Sequence, residues 1–143
     1  MNEKAKPGIM LVEDDVVDVM TVKRAFKKVG INNPMYVAND GLVALEMLRG
    51  TSTAKINERP KIVLLDLNMP RMSGLEFLEE LRKDPDLKSI VVFVLTTSRD
   101  HRDREEAYNH NVAGYIVKPV EQAEFVDSVK KMGEYWNLIE MPD

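Results

Sequence analysis

Apolar positions along the chain follow two alternating rhythms. Short continuous runs, Ile9-Met10-Leu11-Val12, Ile62-Val63-Leu64-Leu65, Ile90 to Leu95 and Gly114-Tyr115-Ile116-Val117, read as buried strands, with Met35-Tyr36-Val37-Ala38 a weaker fifth. Between them apolar residues recur at three- and four-residue steps. Val19, Val22, Phe26 and Val29 form one helical stripe, opposed by Lys23, Arg24, Lys27 and Lys28, and Gly30 supplies its stop. Asp40 can cap a second helix that carries Leu42, Leu45 and Leu48 inward until Gly50 ends it. Leu75, Leu78 and Leu81 mark a third helix ending near Asp84-Pro85. A fourth, Arg102 to Asn111, is nearly all polar and is predicted from its place in the alternation. The fifth begins near Glu121 or Gln122 and lines up Phe125, Val129, Met132 and Trp136, read as core rather than a partner surface. Thr51 to Pro60 is polar and reads as an exposed loop.

Strands alternating with helices imply right-handed crossovers and a parallel sheet covered on both faces. The expected architecture is α/β: a flavodoxin-like, doubly wound, five-stranded parallel sheet of strand order 2-1-3-4-5 with five helices. One domain is expected over residues 1–143, with a core of about 8–133, a tail over 1–7 and no linker to a second unit.

In such a sheet ligands bind beyond the carboxyl ends of the strands, so the residues there set the chemistry. The first run ends in Glu13-Asp14-Asp15, the third in Asp66, the fourth in Thr96-Thr97 and the fifth in Lys118-Pro119. Two carboxylates about 4 Å apart repel by roughly 4 kcal/mol at an effective dielectric near 20, and a bound cation removes that repulsion. Oxygen donors suit Mg²⁺ or Mn²⁺ better than zinc, and His101 and His110 lie away from the strand ends. A metal bridging Asp66 to an incoming phosphoryl group, with Lys118 and Thr96 on other oxygens, makes Asp66 a carboxylate prepared for phosphoryl transfer. Taken singly, the acids read as helix caps, the threonines as turn residues and Lys118 as a surface lysine. Their joint occurrence in this order favours the functional reading.

Composition narrows the partners. Twenty Lys and Arg against 24 Asp and Glu leave a formal charge of -4, with no basic stripe for nucleic acid and no polybasic membrane patch. The absence of cysteine excludes disulfides, thiolate zinc sites and thiol catalysis. With no apolar signal core and no membrane-length run, a soluble cytoplasmic protein is the expectation.

These motifs resemble the receiver domains of two-component response regulators, the CheY-like family. The matching pieces are Leu11-Val12-Glu13-Asp14, Leu65-Asp66-Leu67-Asn68-Met69-Pro70 with Gly74, Leu95-Thr96-Thr97 and Tyr115-Ile116-Val117-Lys118-Pro119. The resemblance implies that Asp66 accepts a phosphoryl group from a sensor histidine kinase. It implies that Asp14, Asp66 and the Asn68 carbonyl hold Mg²⁺, with Glu13 acting through a metal-bound water. Thr96 and Lys118 would be the switch hydroxyl and the phosphate-pairing lysine, and the Lys118-Pro119 bond would be cis. Such a domain catalyses only its own phosphorylation and dephosphorylation. The Thr51 to Pro60 loop, Lys83-Asp84-Pro85-Asp86-Leu87, Leu95-Thr96-Thr97-Ser98 and the Phe125 to Trp136 ending resemble regulators serving cyanobacterial phytochromes. They suggest a phytochrome-like kinase as partner. Departures from the pattern are Glu13 where Asp is also common, Asp15 as a third acid able to compete for the metal, and Ser73 where many relatives carry Asp.

On phosphorylation Thr96 gains a reason to move toward the new charge, and Tyr115 is expected to shift from exposed toward buried in the space vacated. The signal would then reach the face of the fourth helix, fifth strand and fifth helix, for a protein target or a homodimer. A haloacid-dehalogenase-like phosphatase would need an acid two residues after Asp66, where Asn68 stands. An FMN carrier would need a phosphate loop where Glu13-Asp14-Asp15 repels phosphate. A phosphorylation-independent scaffold would have little use for the full set.

Overall fold

A computed structural model describes residues 7–51, 58–118 and 122–138. The apolar runs form five parallel strands, β1 (Ile9–Val12), β2 (Met35–Ala38), β3 (Ile62–Leu65), β4 (Val91–Thr96) and β5 (Gly114–Val117). They pair in the order β2-β1-β3-β4-β5, as expected. The helices between them are α1 (Val16–Lys28), α2 (Gly41–Arg49), α3 (Gly74–Lys83), α4 (His101–Asn109) and α5 (Gln122–Leu138).

Side chains alternate across a strand, so each strand feeds two cores. Met10, Val12, Val63, Leu65, Val92 and Val94 pack with α2, α3 and Ala107 of α4. Ile9, Leu11, Ile62, Leu64, Phe93 and Leu95 pack with Val22 and Phe26 of α1 and Phe125, Val129, Met132 and Trp136 of α5. Trp136 is core: its ring lies 6.2 Å from Phe26 and 6.4 Å from Phe93, at tilted and edge-on angles. The central strands β1 and β3 are buried throughout and the edge strand β5 only half so.

Helix ends follow the predicted chemistry. Asp40 caps α2 by accepting from Val43 N–H at 2.9 Å, and Gly50 closes it in the left-handed region at φ 76°. Ser73 caps α3 with a full capping box to Glu76, a role Asp would also fill, so the departure at Ser73 is neutral for the fold. Leu42 corrects one expectation. The buried stripe of α2 runs through Gly41, Ala44, Leu45 and Leu48, and Leu42, one position off that stripe, is exposed. Helix α4 is two residues shorter at its C-terminal end than expected, and Ala107 is its one buried residue. Of the predicted 51–60 loop, Thr51, Glu58 and Arg59 are exposed but Pro60 is buried. Residues 52–57 and the tail residues 1–6 lie outside the described residues. No helix among the described residues is long and apolar enough to cross a membrane.

Candidate functional site

The ladder carries on past the strand ends and so fixes where the functional side chains emerge. Beyond β1, Glu13 N–H donates to the Ala38 carbonyl at 3.0 Å, and beyond β3, Asp66 N–H donates to the Val12 carbonyl at 3.0 Å. Beyond β5, Lys118 N–H donates to the Thr96 carbonyl at 2.6 Å. Glu13, Asp66, Thr96 and Lys118 are therefore delivered to one end of the sheet, at the β1–β3 switch point.

One carboxylate oxygen each from Glu13, Asp14 and Asp66 lies within 4.8 Å of the others. Glu13 and Asp66 are buried while Asp14 is open to solvent. Lys118 Nζ donates to Glu13 Oε1 at 2.6 Å and to Asp18 Oδ2 at 2.9 Å. Burial pushes the Glu13 carboxyl up to about 7, the Lys118 hydrogen bond opposing it and the Asp66 charge adding to it. Burial pulls Lys118 down, but hydrogen bonds to Glu13 and Asp18 prevail and hold it above the ordinary lysine value. One ammonium thus serves a pocket of several carboxylates, an arrangement short of positive charge. An all-oxygen donor set with one solvent-facing member fits a hard divalent cation, the Mg²⁺ or Mn²⁺ class.

Asp15, the third acid, is engaged elsewhere. Its Oδ1 accepts from Val17 N–H at 2.8 Å and Asp18 N–H at 3.2 Å as the N-cap of α1. Gly74 is required by close approach. A Cβ there would collide with the Asp66 carbonyl and stand 2.5 Å from Leu67 Cα, so α3 can start against the Asp66 loop only without a side chain. The same loop contains Arg71 at φ 63°, held by two hydrogen bonds, Nε at 2.8 Å and Nη2 at 2.6 Å, to Asp40 Oδ2.

On the β4 side Thr96 is fully buried. Its Oγ1 accepts from Ser98 N–H at 3.2 Å and from the Asn68 side-chain amide at 3.4 Å, and that amide also reaches Thr97 Oγ1 at 3.2 Å. Asn68 N–H donates to Asp66 Oδ1 at 3.3 Å. Ser98 Oγ donates to Asp103 Oδ2 at 2.6 Å, and the Tyr115 hydroxyl donates to the Ser98 carbonyl at 3.1 Å. Tyr115 corrects the expectation of an exposed ring: it is half-buried. Its ring rests on the α2–α3–α4 side of the core while the Ser98 carbonyl satisfies its hydroxyl. The expected cis bond before Pro119 lies outside the described residues.

Two participants escape the sequence reading, Asp18 and the Arg71–Asp40 pair. Asp18 stands in the first turn of α1, where an acid is explained by the helix dipole alone. Its proximity to the Glu13-Asp14 turn was the one available signal.

Known proteins share this fold. The response regulator receiver domain model matches residues 9–130. The probable methanogenesis regulatory protein FilR2 of Methanothrix harundinacea is 35% identical over 128 residues, 90% of this chain and 82% of that protein. Response regulator Rcp1 of Synechocystis sp. is 33% identical over 138 residues, 95% of this chain and 94% of Rcp1. The Mn²⁺-bound form of Rcp1 superposes with a TM-score of 0.86, covering 96% of this chain and 100% of that one. The phosphorylated cyanobacterial phytochrome response regulator RcpA superposes at 0.87 with 33% identity, covering 97% and 100%. Fold, site and relatives converge: the chain belongs to the receiver-domain family of response regulators, the phosphoryl-accepting side of two-component signalling.

Proposed function

We propose that Asp66 is the phosphoacceptor and that the donor is a phosphohistidine of a sensor histidine kinase. The observation that carries this is the convergence of Glu13, Asp14, Asp66, Thr96 and Lys118 on one end of the sheet. An Asp66 carboxylate oxygen attacks phosphorus as the bond from phosphorus to the donor nitrogen breaks; the donor imidazole, protonated on its other ring nitrogen, keeps the bonding pair and leaves as neutral histidine. Asp14, Asp66 and the Asn68 carbonyl would hold Mg²⁺, with Glu13 behind them. When bound, the ion neutralises the carboxylates and the phosphoryl oxygens. Thr96 donates its hydroxyl to one phosphoryl oxygen and Lys118 pairs with another. Water later attacks phosphorus, the bond from phosphorus to the Asp66 oxygen breaks, and inorganic phosphate leaves, restoring the aspartate.

Movement of Thr96 Oγ1 toward the phosphoryl group removes the acceptor of Ser98 N–H. The segment that carries Ser98 also holds Tyr115 and, through Asp103, the start of α4. The signal therefore leaves by the α4–β5–α5 face, to a protein target or a second copy of the chain. A rise in mass by light scattering on phosphorylation supports the homodimer, and equal masses remove it. Similarity to the cyanobacterial phytochrome response regulator RcpA favours a phytochrome-like photoreceptor kinase as donor.

The test is treatment with acetyl phosphate and Mg²⁺ followed by intact mass measurement. The native chain gains one phosphoryl mass, and neither Asp66→Asn nor the native chain with chelator does. Equal labelling of native and Asp66→Asn chains displaces Asp66 as acceptor.

A further inference from the structure

Lys118 has to reach a phosphoryl group on Asp66, yet its ammonium is committed elsewhere. Among the described residues its hydrogen bonds go to Glu13 and Asp18, and none goes to Asp66. Glu13 belongs to the acidic cluster at the strand ends, but Asp18 does not. It stands in the first turn of α1, oriented by a helix whose N-cap, Asp15, binds the Asp18 N–H itself. The Lys118 side chain is 16% exposed and that of Asp18 37%, so the pair is only partly screened by water. Beside it opens a cavity of about 400 Å³ lined by Glu13, Asp18, Val22, Leu95, Lys118 and Phe125, which leaves the lysine head room to move.

Resting on the function proposed above, we infer that Asp18 is a positioning residue that holds Lys118 on the α1 side of the cleft, in competition with the phosphoryl group. An ammonium has three N–H donors, and two of them here are directed to carboxylates. A cation taken up by the acidic cluster draws on Glu13, which leaves Asp18 as the carboxylate that the incoming phosphoryl oxygen must displace. The Asp18–Lys118 pair therefore sets how readily a phosphodonor is engaged, while Asp66 sets where the phosphoryl group goes. Asp18 does not touch the reacting atoms and is distinct from the acidic cluster that would hold the cation.

The experiment measures initial rates of labelling by acetyl phosphate at fixed Mg²⁺, over a range of donor concentrations, by intact mass. Asp18→Asn is expected to lower the half-saturating acetyl phosphate concentration about threefold, the size of a partly exposed ion pair that no longer competes, and by more than it changes the maximal rate. Asp18→Glu, which restores the charge, moves it back toward the native value. In a Lys118→Met background the Asp18→Asn change has no such effect, because it acts through the ammonium. An unchanged or raised half-saturating concentration in Asp18→Asn overturns the inference, as does an equal fall in the Lys118→Met background, which marks a general charge effect. Native labelling abolished by Asp66→Asn, together with either of those results, sinks the role of Asp18 alone. Absence of native labelling, or labelling that survives Asp66→Asn, sinks the proposed function and this inference with it.

Discussion

At the scale of single residues, the site is a problem in charge. Glu13 and Asp66 are buried beside each other with Asp14 at the edge, and one ammonium, Lys118, serves them. The sheet imposes this crowding, because the ends of β1 and β3 cannot separate without breaking the ladder that places them. A second residue-scale contact supports the loop that follows Asp66. Burial pushes the Asp40 carboxyl up, but the Val43 N–H and the Arg71 guanidinium outweigh it and hold Asp40 below the usual carboxylate range. A depressed folded value means stability that is present above the ordinary carboxylate pKa and is lost as pH falls through the lower, folded one. Arg71→Gln, which removes a largely exposed partner, is expected to cost up to about 1 kcal/mol near neutral pH and almost nothing below the carboxylate range. Urea denaturation at pH 7 and at strongly acid pH reads this. A cost that is equal at both would show that Arg71 acts by packing rather than through Asp40.

At the scale of elements, the β4–α4 segment and the start of α3 connect the site to the rest of the molecule. Arg82, at the end of α3, donates to four carbonyls, those of His110, Lys88, Ile90 and Asn111, at 2.6 to 3.1 Å. It ties the end of α4 to the loop before β4. Replacing it by Ala leaves several of these carbonyls without a partner and is expected to cost about 2–4 kcal/mol, read as a lower urea midpoint with an unchanged slope. A loss within about 0.5 kcal/mol would mean that water takes over all four contacts. The elements show where sequence reading succeeds and where it stops. The runs ending in Asp66 and Glu13 were legible because a fully buried parallel strand must be continuously apolar, and the polar residue that ends it is conspicuous. Arg82 and Asp18 were not, since a basic residue in a last helical turn and an acid in a first one already have a local explanation in the helix dipole. The partner of Asp18, Lys118, lies 100 residues beyond it, and two of the four Arg82 partners, His110 and Asn111, lie 28 and 29 residues away. Leu42 misled for a related reason: spacing identified the helix but could not say which edge of its apolar arc the sheet would cover. Tyr115 was placed at the switch by its position before Lys118, but its resting burial depends on the Ser98 carbonyl, a contact that no periodicity encodes.

At the scale of the whole molecule, one sheet divides the labour. Its α1–α5 side supplies the Trp136 core and the Asp18–Lys118 pair, and its α2–α3–α4 side supplies the packing under Tyr115 and the Arg82 contacts. The strand ends between them carry the acidic cluster, so a charge placed on Asp66 acts on both faces at once. That coupling depends on Asp66 being the residue that carries the phosphoryl group. The most direct measurement is reductive trapping: the chain is phosphorylated with acetyl phosphate and Mg²⁺, treated with borohydride, digested and sequenced by mass spectrometry. An aspartyl phosphate is converted to homoserine, and homoserine is expected at position 66, dependent on Mg²⁺ and confined to that position. Homoserine at position 14 or 15, or a phosphoryl group retained on His101 or His110 with Asp66 unmodified, would contradict it.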